Sequence, residues 1–166
     1  MKLEEATVLA DKIVDSIKHL CDPEHIMVVG SIRRKRPEVH DIDIVLIPQS
    51  WMWNTIIQKL KTNWLAEVVE VGQELARLKV PTGATSEAIQ VDIYRARPET
   101  WGVLLLIRTG SIEHNIKLCS RAKSMGMMLS AAKGVIKDGK VIASRTEEEI
   151  FKALKMDFVE PEKREV

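Results

Sequence analysis

Apolar residues recur every three or four positions through the first twenty residues, and this spacing predicts one amphipathic helix. The stripe consists of Leu3, Ala6, Ala10, Ile13, Val14, Ile17 and Leu20. Because proline does not continue a helix, we expect this one to end near Asp22-Pro23. Residues 52–64 have a similar spacing and predict a second helix.

Shorter apolar runs predict strands at residues 26–29, 41–47 and 66–71. Two further segments, "LARLKV" and "IQVDIYRA", alternate apolar and polar residues on either side of the loop 81–87. Proline and glycine in that loop indicate a turn. We therefore expect an antiparallel hairpin that continues the sheet.

The chain after residue 97 has helix signals followed by a hairpin signal. Pro98 suits the first turn of a helix, Gly110 suits its end, and residues 111–125 predict a further helix. The pair Asp138-Gly139 lies between two short apolar arms, which is a strong signal for a hairpin. This part of the chain therefore predicts a small unit of helices and a hairpin.

A capping box marks the start of the last predicted helix. Thr146 is followed three residues later by Glu149, and this pairing is typical of a helix N-terminus. The sequence contains no internal repeat and no low-complexity linker. A boundary between residues 100 and 110 would therefore be a packed junction.

The composition fits a compact globular protein, since 45% of the 166 residues are hydrophobic and 30% are charged. No window approaches the length of an uncharged membrane span, and the N-terminus lacks the apolar block of a signal peptide. We expect an intracellular protein, in the cytoplasm or nucleoid or of viral origin, with no targeting signal and no membrane partner. Cys21 and Cys119 are far apart and in no metal-ligand spacing, which argues against a zinc site or a disulfide framework.

The formal net charge of +1 conceals a local asymmetry. Residues 108–140 contain seven basic residues and two acidic ones. A solvated surface is the common explanation of such a run, and contact with phosphates is the functional one.

Two aspartates lie in the predicted strand 41–47. Asp41 and Asp43 are two residues apart, so their side chains share a face about 6 to 7 Å apart. Burying two carboxylates costs several kcal/mol unless cations or hydrogen bonds compensate, and Mg²⁺ is a suitable cation. Asp92 lies in a similar apolar setting in the hairpin and could join them. Three carboxylates holding two metals favour nucleotidyl transfer.

A basic turn precedes the aspartates. Gly30 allows close approach of the backbone to a ligand, and Ser31 offers a hydroxyl and an N–H. Arg33 and Arg34 offer planar forks that match phosphate oxygens. A triphosphate would fit between this turn and the metals.

The order of these motifs resembles the family X DNA polymerases. The resemblance rests on Gly30-Ser31 with Arg33-Arg34, Asp41-x-Asp43, Asp92 in "VDIY" and "GVLLLIRTGS" at 102–111. It covers about residues 26–166. It implies an α+β protein, with a nucleotidyltransferase palm of mixed sheet and helices at 1–105, including the N-terminal helix. A helix and β-hairpin thumb at 106–166 would follow, with no lyase or fingers domain, as in the small viral member of the family.

The resemblance also implies roles for individual residues. Asp41 and Asp43 would bind both metals, and Asp92 would bind the catalytic metal and help to activate the primer 3′-hydroxyl. Ser31 and Arg34 would hold the β- and γ-phosphates. The substrate-binding set is Gly30, Ser31, Arg33, Arg34, Ile107, Arg108, Thr109, Gly110, Ser111 and Asn115. The DNA-binding set is Lys117, Arg121, Lys123, Lys133, Lys137 and Lys140.

The sugar pocket departs from the family pattern. Thr109-Gly110-Ser111 would shape this pocket and Asn115 would contact the incoming base. The family commonly has two aromatic residues before Thr-Gly-Ser that disfavour ribose, and this chain has Ile107 and Arg108. The choice between deoxyribonucleotides and ribonucleotides is therefore left open.

These features predict a template-dependent DNA polymerase that fills short gaps in repair by a two-metal mechanism. Its cofactors would be two Mg²⁺ ions, for which Mn²⁺ could substitute. Its partners would be gapped or primer-template DNA and deoxynucleoside triphosphates, with ribonucleotides as a further possibility. The alternatives are a nucleotidyltransferase that modifies RNA or protein, and a non-catalytic nucleic-acid-binding module of the same fold.

Overall fold

The computed structural model describes residues 1–83 and 86–165. Residues 84 and 85 of the predicted loop 81–87, and the last residue of the predicted thumb, lie outside the described residues. The chain forms two compact units, Met1–Ala96 and Arg97–Val166. Each has its own apolar core.

The first unit is a mixed five-stranded sheet with helices. Its elements in chain order are α1 (Leu3–Ile17), β1 (Cys21–Val28), α2 (Gly30–Arg33), β2 (Asp41–Pro48), α3 (Trp53–Trp64), β3 (Glu67–Val71), β4 (Leu75–Pro81) and β5 (Ala88–Arg95). The strand order is β1-β2-β5-β4-β3, and β2 pairs with β5 in parallel while the other pairs are antiparallel. The predicted hairpin is thus confirmed as β4 and β5.

Alternation along the strands divides the sheet into an apolar face and a polar face. Ile42, Ile44 and Leu46 of β2 are fully buried in the first core. The helices contribute to that core Ala6, Ala10, Ile13 and Ile17 from α1 and Trp53, Ile56, Ile57 and Leu60 from α3. The intervening positions of β2, including Asp41 and Asp43, therefore belong to the other face of the sheet.

Three elements of the first unit differ from the prediction. α1 ends at Ile17 and not near Asp22-Pro23, which lie in β1. The other two are β1 and α2. β1 begins at Cys21 rather than at residue 26, and its pairing with β2 is irregular between Cys21 and Ile26. A short helix, α2, occupies the start of the predicted basic turn. Periodicity could not reveal either, because one is an irregular strand and the other is a single helical turn.

The second unit contains three α-helices, two short 3-10 helices (Pro98–Thr100 and Pro161–Lys163) and a small sheet among its described residues. Its elements are α4 (Trp101–Thr109), α5 (Ile112–Ser124), β6 (Met128–Ser130), β7 (Gly134–Lys137), β8 (Lys140–Ala143) and α6 (Glu147–Ala153). Asp138 and Gly139 both have positive φ angles, of 50° and 76°, as a two-residue hairpin turn requires. The predicted hairpin is confirmed, and β6 adds a third strand to it.

The predicted palm–thumb boundary at 105/106 stays a prediction, and the division into compact units is a separate property of the fold. The units divide between Ala96 and Arg97. Two residues of α4, Val103 and Leu106, contribute to the second core. The Val103 N–H also donates to the carbonyl of Ser144 at 3.0 Å.

The helices in residues 1–83 and 86–165 are too short or too polar to cross a bilayer.

Candidate active site

Parallel pairing of β2 with β5 brings two of the predicted catalytic residues side by side. Asp43 faces Asp92 in the register of this pair, and Asp41 faces Gln90. The hairpin therefore places Asp92 beside the first aspartate strand, as the sequence predicted. Asp41 is exposed at the start of β2, Asp43 is half-buried and Asp92 is 4% exposed.

The buried carboxylate of Asp92 is compensated by neighbours on its own face of the sheet. Arg77 of β4 donates from Nε to Oδ1 at 2.9 Å and from Nη2 to Oδ2 at 3.2 Å. Gln90 donates to Oδ2 at 3.2 Å. The hydroxyl of Tyr94 lies 3.4 Å from Asp92 Oδ2 and 3.4 Å from Asp43 Oδ1, so it bridges the two carboxylates.

Arg77 carries the positive charge beside Asp92. The side-chain hydrogen bond from Arg77 to Asp92, together with the carboxylate charge, raises the pKa of Arg77 above its already high ordinary value. A guanidinium in this setting remains protonated. The carboxylate of Asp92 therefore has a permanent cation beside it.

Asp43 is packed over the backbone at Gly30. Gly30 has a φ of 61°, a left-handed conformation that favours glycine, and a Cβ there would overlap Oδ2 of Asp43. The Val29 N–H donates to the Asp43 carbonyl at 2.8 Å. The glycine of the basic turn is therefore needed to make room for a carboxylate.

The rest of the basic turn follows Gly30 directly. Ser31 and Arg33 lie in α2, and Arg34 closes it with an N–H donated to the Gly30 carbonyl at 3.1 Å. All three side chains are half-buried. The structure thus brings the predicted phosphate-binding turn next to Asp43.

The three aspartates do not form a ready set of metal ligands. Across the part of the chain that the structure describes, no three His, Cys, Asp or Glu side chains are grouped so that they could hold a metal ion. Asp92 is engaged with Arg77, and Asp41 projects at the exposed end of the strand. The predicted metal roles of Asp41, Asp43 and Asp92 therefore stay predictions.

In the second unit, Thr109-Gly110-Ser111 forms the buried junction between α4 and α5. The Gly110–Ser111 peptide bond is cis. The Ser111 hydroxyl caps α5 by accepting from the His114 N–H at 3.2 Å. The Ser111 N–H donates to the carbonyl of Arg164 at 2.9 Å, which ties the junction to the end of the described chain.

The side chain of Asn115 is turned toward α4. Its Nδ2 donates to the carbonyl of Ile107 at 2.9 Å, and its Oδ1 is buried with no hydrogen-bond partner among the described residues. Ile107 packs partly against the second core, whereas Arg108 is exposed. The base and sugar contacts expected of these residues stay predictions.

The predicted DNA-binding residues are all exposed, and one of them has a structural role. The set is Lys117, Arg121, Lys123, Lys133, Lys137 and Lys140. Arg121 donates from Nε to the carbonyl of Leu154 at 3.0 Å, beyond the last turn of α6. Arg121 therefore joins α5 to the end of α6.

A buried ion pair near the α4–α5 junction was missed by sequence reasoning. Arg164 Nη1 donates to Glu147 Oε2 at 2.6 Å, and both side chains are buried. The guanidinium also lies 5.4 Å from the ring of Phe151 and 5.2 Å from that of Phe158. Glu147 and Arg164 lie in segments that are rich in charged residues, as surface segments are. No pattern in the sequence indicated that either side chain is buried.

Sequence reasoning also missed Arg77 and Tyr94. The alternation of "LARLKV" does place Arg77 on the polar face of β4, which is the signal that was available. Its partner depends on the β4–β5 register, in which Arg77 faces Asp92. Register is set by the whole hairpin and not by either segment.

Comparison with known proteins supports a polymerase relationship. Residues 104–165 match the family model described as DNA polymerase beta thumb. The chain is 23% identical over 145 residues to "Repair DNA polymerase X" of African swine fever virus, covering 85% of this chain and 82% of the viral protein. It is also similar to the crystal structure of Leishmania infantum polymerase beta in a "Ternary P/T complex". That similarity has a TM-score of 0.85 at 18% identity and covers 100% of this chain and 77% of the other.

The mixed sheet, its polar face and the thumb match define an α+β protein with the palm and thumb of polymerase β. The predicted fold class is therefore confirmed. The chain is therefore similar in fold to polymerase beta, and its residues 104–165 match the thumb model of that polymerase.

Proposed function

We propose that the protein is a template-dependent DNA polymerase that adds nucleotides to a primer 3′-hydroxyl and fills short gaps in repair. The observation that carries the proposal is the facing pair Asp43 and Asp92 in a chain whose residues 104–165 match the polymerase beta thumb. Two carboxylates on one polar sheet face could hold the metal ions that a two-metal nucleotidyl transfer uses.

We propose two Mg²⁺ ions as cofactors, with Mn²⁺ able to substitute. The chemistry of the donors fits these ions, because carboxylate oxygens are the ligands that Mg²⁺ prefers. Asp43 and Asp92 also direct oxygen atoms at the same Tyr94 hydroxyl. Asp41 and Asp43 would hold both ions and Asp92 the catalytic one. When bound, the ions would lower the pKa of the attacking hydroxyl and stabilise the leaving pyrophosphate.

The first unit would position the reacting groups. The primer 3′-oxygen would form a bond to the α-phosphorus, the bond from that phosphorus to pyrophosphate would break, and the hydroxyl proton would pass to solvent water. Asp92 would orient the hydroxyl, and Ser31 and Arg34 would bind the β- and γ-phosphates, with Arg33 and the backbone at Gly30 nearby. The close approach of the Gly30 backbone to Asp43, at the start of α2, supports this assignment.

The second unit would bind the base, the sugar and the DNA. Thr109-Gly110-Ser111 would shape the sugar pocket beside Ile107 and Arg108, and Asn115 would contact the base after releasing the Ile107 carbonyl. The exposed lysines of α5 and of the β6–β8 region would contact the phosphates of primer-template DNA.

Primer extension on a one-nucleotide gap tests the proposal. Wild type, Asp92→Ala and the matched control Asp11→Ala would be compared with Mg²⁺ and with Mn²⁺. Asp11 is an exposed carboxylate of α1, far along the chain from the paired aspartates. We expect extension by wild type and Asp11→Ala and at least a hundredfold loss in Asp92→Ala. Equal extension by all three proteins, or none by wild type with either metal, would contradict the proposal.

Two further measurements distinguish the proposed DNA polymerase from the alternative functions. Ribonucleoside triphosphates offered in parallel measure sugar discrimination at Ile107 and Arg108. RNA primers, and self-labelling with a radioactive nucleotide, test for a nucleotidyltransferase that modifies RNA or protein. DNA binding without transfer under any of these conditions would indicate a non-catalytic module.

A further inference from the structure

Arg77 contacts both oxygens of the most buried carboxylate on the polar face of the first unit. Arg77 faces Asp92 across the antiparallel β4–β5 pair. Its Nε and Nη2 donate to Oδ1 and Oδ2 at 2.9 and 3.2 Å, which is a two-point contact. We propose that Arg77 is a positioning residue that fixes the orientation of the Asp92 carboxylate for metal binding and catalysis.

Two-point contact restrains rotation of the carboxylate plane, which a single hydrogen bond does not. Asp92 is buried, and the adjacent strand position holds Asp43, a second negative charge. Without a cation, Asp92 would be both desolvated and repelled by Asp43. Arg77 therefore offsets the charge of Asp92 and also fixes the orientation of its carboxylate.

The contacts also show which oxygen of Asp92 remains available. Oδ2 lies within 3.4 Å of three donors, on Arg77, Gln90 and Tyr94. Oδ1 accepts from Nε of Arg77 alone among the described residues. A carboxylate oxygen has two acceptor positions, so Oδ1 keeps one for a cation or a hydroxyl. Arg77 thus orients Asp92 so that Oδ1 is its free ligand atom.

This inference rests on the proposed function, and two opposite effects of Arg77 can be separated. If Arg77 acts by orienting the Asp92 carboxylate, loss of the two hydrogen bonds from its guanidinium weakens metal binding even when the positive charge is kept. If it acts only by charge, its removal strengthens binding of a divalent cation, since two cations beside one carboxylate repel each other.

The experiment compares Arg77→Lys, Arg77→Met and the control Lys79→Met. Lys79 lies on the same strand two residues further on, faces Gln90 and is exposed. Mn²⁺ binding would be titrated by electron paramagnetic resonance without nucleotide or DNA. Single-nucleotide insertion would give kcat and the nucleotide KM separately, and thermal melts would verify folding of each variant.

We expect Arg77→Lys and Arg77→Met each to weaken Mn²⁺ binding and to lower kcat by about tenfold or more, with KM for the nucleotide unchanged. Lys79→Met should match wild type in both assays. Tighter Mn²⁺ binding by Arg77→Met, wild-type behaviour of Arg77→Lys, or absence of Mn²⁺ binding by wild type overturns the inference. If wild type binds Mn²⁺ but extends no primer, the proposed function fails while the Mn²⁺ titration still decides the role of Arg77.

Discussion

Asp43 and Asp92 face each other across a parallel strand pair, and the hydroxyl of Tyr94 lies 3.4 Å from a carboxylate oxygen of each. Like charges at facing positions destabilise a sheet unless something compensates them. Arg77 provides one compensating charge, and the half-buried position of Asp43 leaves it partly solvated. The two facing carboxylates are therefore tolerated on the polar face of the sheet.

Substitution of Gly30 should damage the site beyond its effect on the backbone. Gly30 and Gly126 both have positive φ angles, of 61° and 71°. A Cβ at Gly30 would overlap Oδ2 of Asp43, whereas a Cβ at Gly126 meets nothing within 4 Å. We expect Gly30→Ala to reduce primer extension about tenfold or more, because displacement of a reacting group by a fraction of an ångström is costly.

Gly126→Ala is the matched control for Gly30→Ala. Both variants should lose about 1 kcal/mol of folding free energy through left-handed backbone strain, measured by urea denaturation. Extension by Gly126→Ala should stay near wild type. A similar loss of extension in both variants would show that strain, and not the contact with Asp43, is responsible.

Arg121 and Lys123 should respond differently to substitution, although both belong to the predicted DNA-binding set. Arg121→Ala removes a hydrogen bond to the Leu154 carbonyl and should lower the free energy of unfolding by about 1 kcal/mol. Lys123→Ala should leave stability unchanged and reduce the salt dependence of DNA affinity by about one phosphate contact. Fluorescence anisotropy at several salt concentrations and urea denaturation make these measurements. An unchanged salt slope in Lys123→Ala would remove this lysine from the DNA contact.

The buried pair Arg164–Glu147 should matter far more than an exposed pair. Glu147→Gln keeps the shape of the side chain but leaves the fully buried Arg164 without its countercharge, so we expect a loss of about 3 kcal/mol or more. Asp15→Asn removes an exposed partner of Lys18 and should cost less than about 1 kcal/mol. Urea denaturation of both variants checks this. Equal small losses would show that Arg164 is solvated in the folded protein.

The buried imidazole of His114 predicts an acid-sensitive second unit. Burial, then the charges of Arg164 and Lys117, lower the pKa of His114 from 6.5 to about 4, and Glu147 opposes this shift. Between these two values the unfolded chain binds more protons than the folded one. The free energy of unfolding therefore falls as the pH drops from about 6.5 to about 4, by about 3 kcal/mol in all.

Urea denaturation at pH 7 and pH 4.5 tests the role of His114. The ring of His114 lies 6.1 Å from that of Phe151, and both ring nitrogens lack a hydrogen-bond partner among the described residues. His114→Phe should therefore remove most of this part of the acid sensitivity. His19→Gln, at an exposed position, should keep it. If the pH dependence of His114→Phe equals that of wild type, the sensitivity arises from other groups.

The sequence allowed prediction of features that depend on local pattern. Three predicted features depend only on residues that are close in sequence. They are the apolar spacing of α1 and α3, the hairpin turn at Asp138-Gly139 and the helix cap at Thr146. Asp41 and Asp43 could be placed on one face from their spacing. These predictions succeeded because the physical determinants lie within a few residues.

The remaining features depend on contacts between distant segments. Arg77 meets Asp92 through the β4–β5 register, and the buried Arg164 contacts Glu147 and Phe151 of α6. The orientation of the Asn115 side chain toward α4 depends on the packing of α5 against α4. The division after Ala96 reflects packing of α4 with the second core and not the position of a motif. Such choices follow from tertiary packing, which a local pattern does not encode.

Because β2 and β5 pair in parallel, any affinity of Asp43 and Asp92 for a cation depends on folding of the whole first unit. Parallel neighbours cannot be joined by a tight turn, and here the connection runs through α3, β3 and β4. The facing carboxylates are thus a long-range contact, formed when that crossover closes. A peptide that ends before β5 would carry both aspartates of β2 and still lack the paired site. Divalent ions that bind the two carboxylates would bind only the folded state, in which β2 and β5 are paired. The unfolding temperature of the first unit would therefore rise with the concentration of the ion.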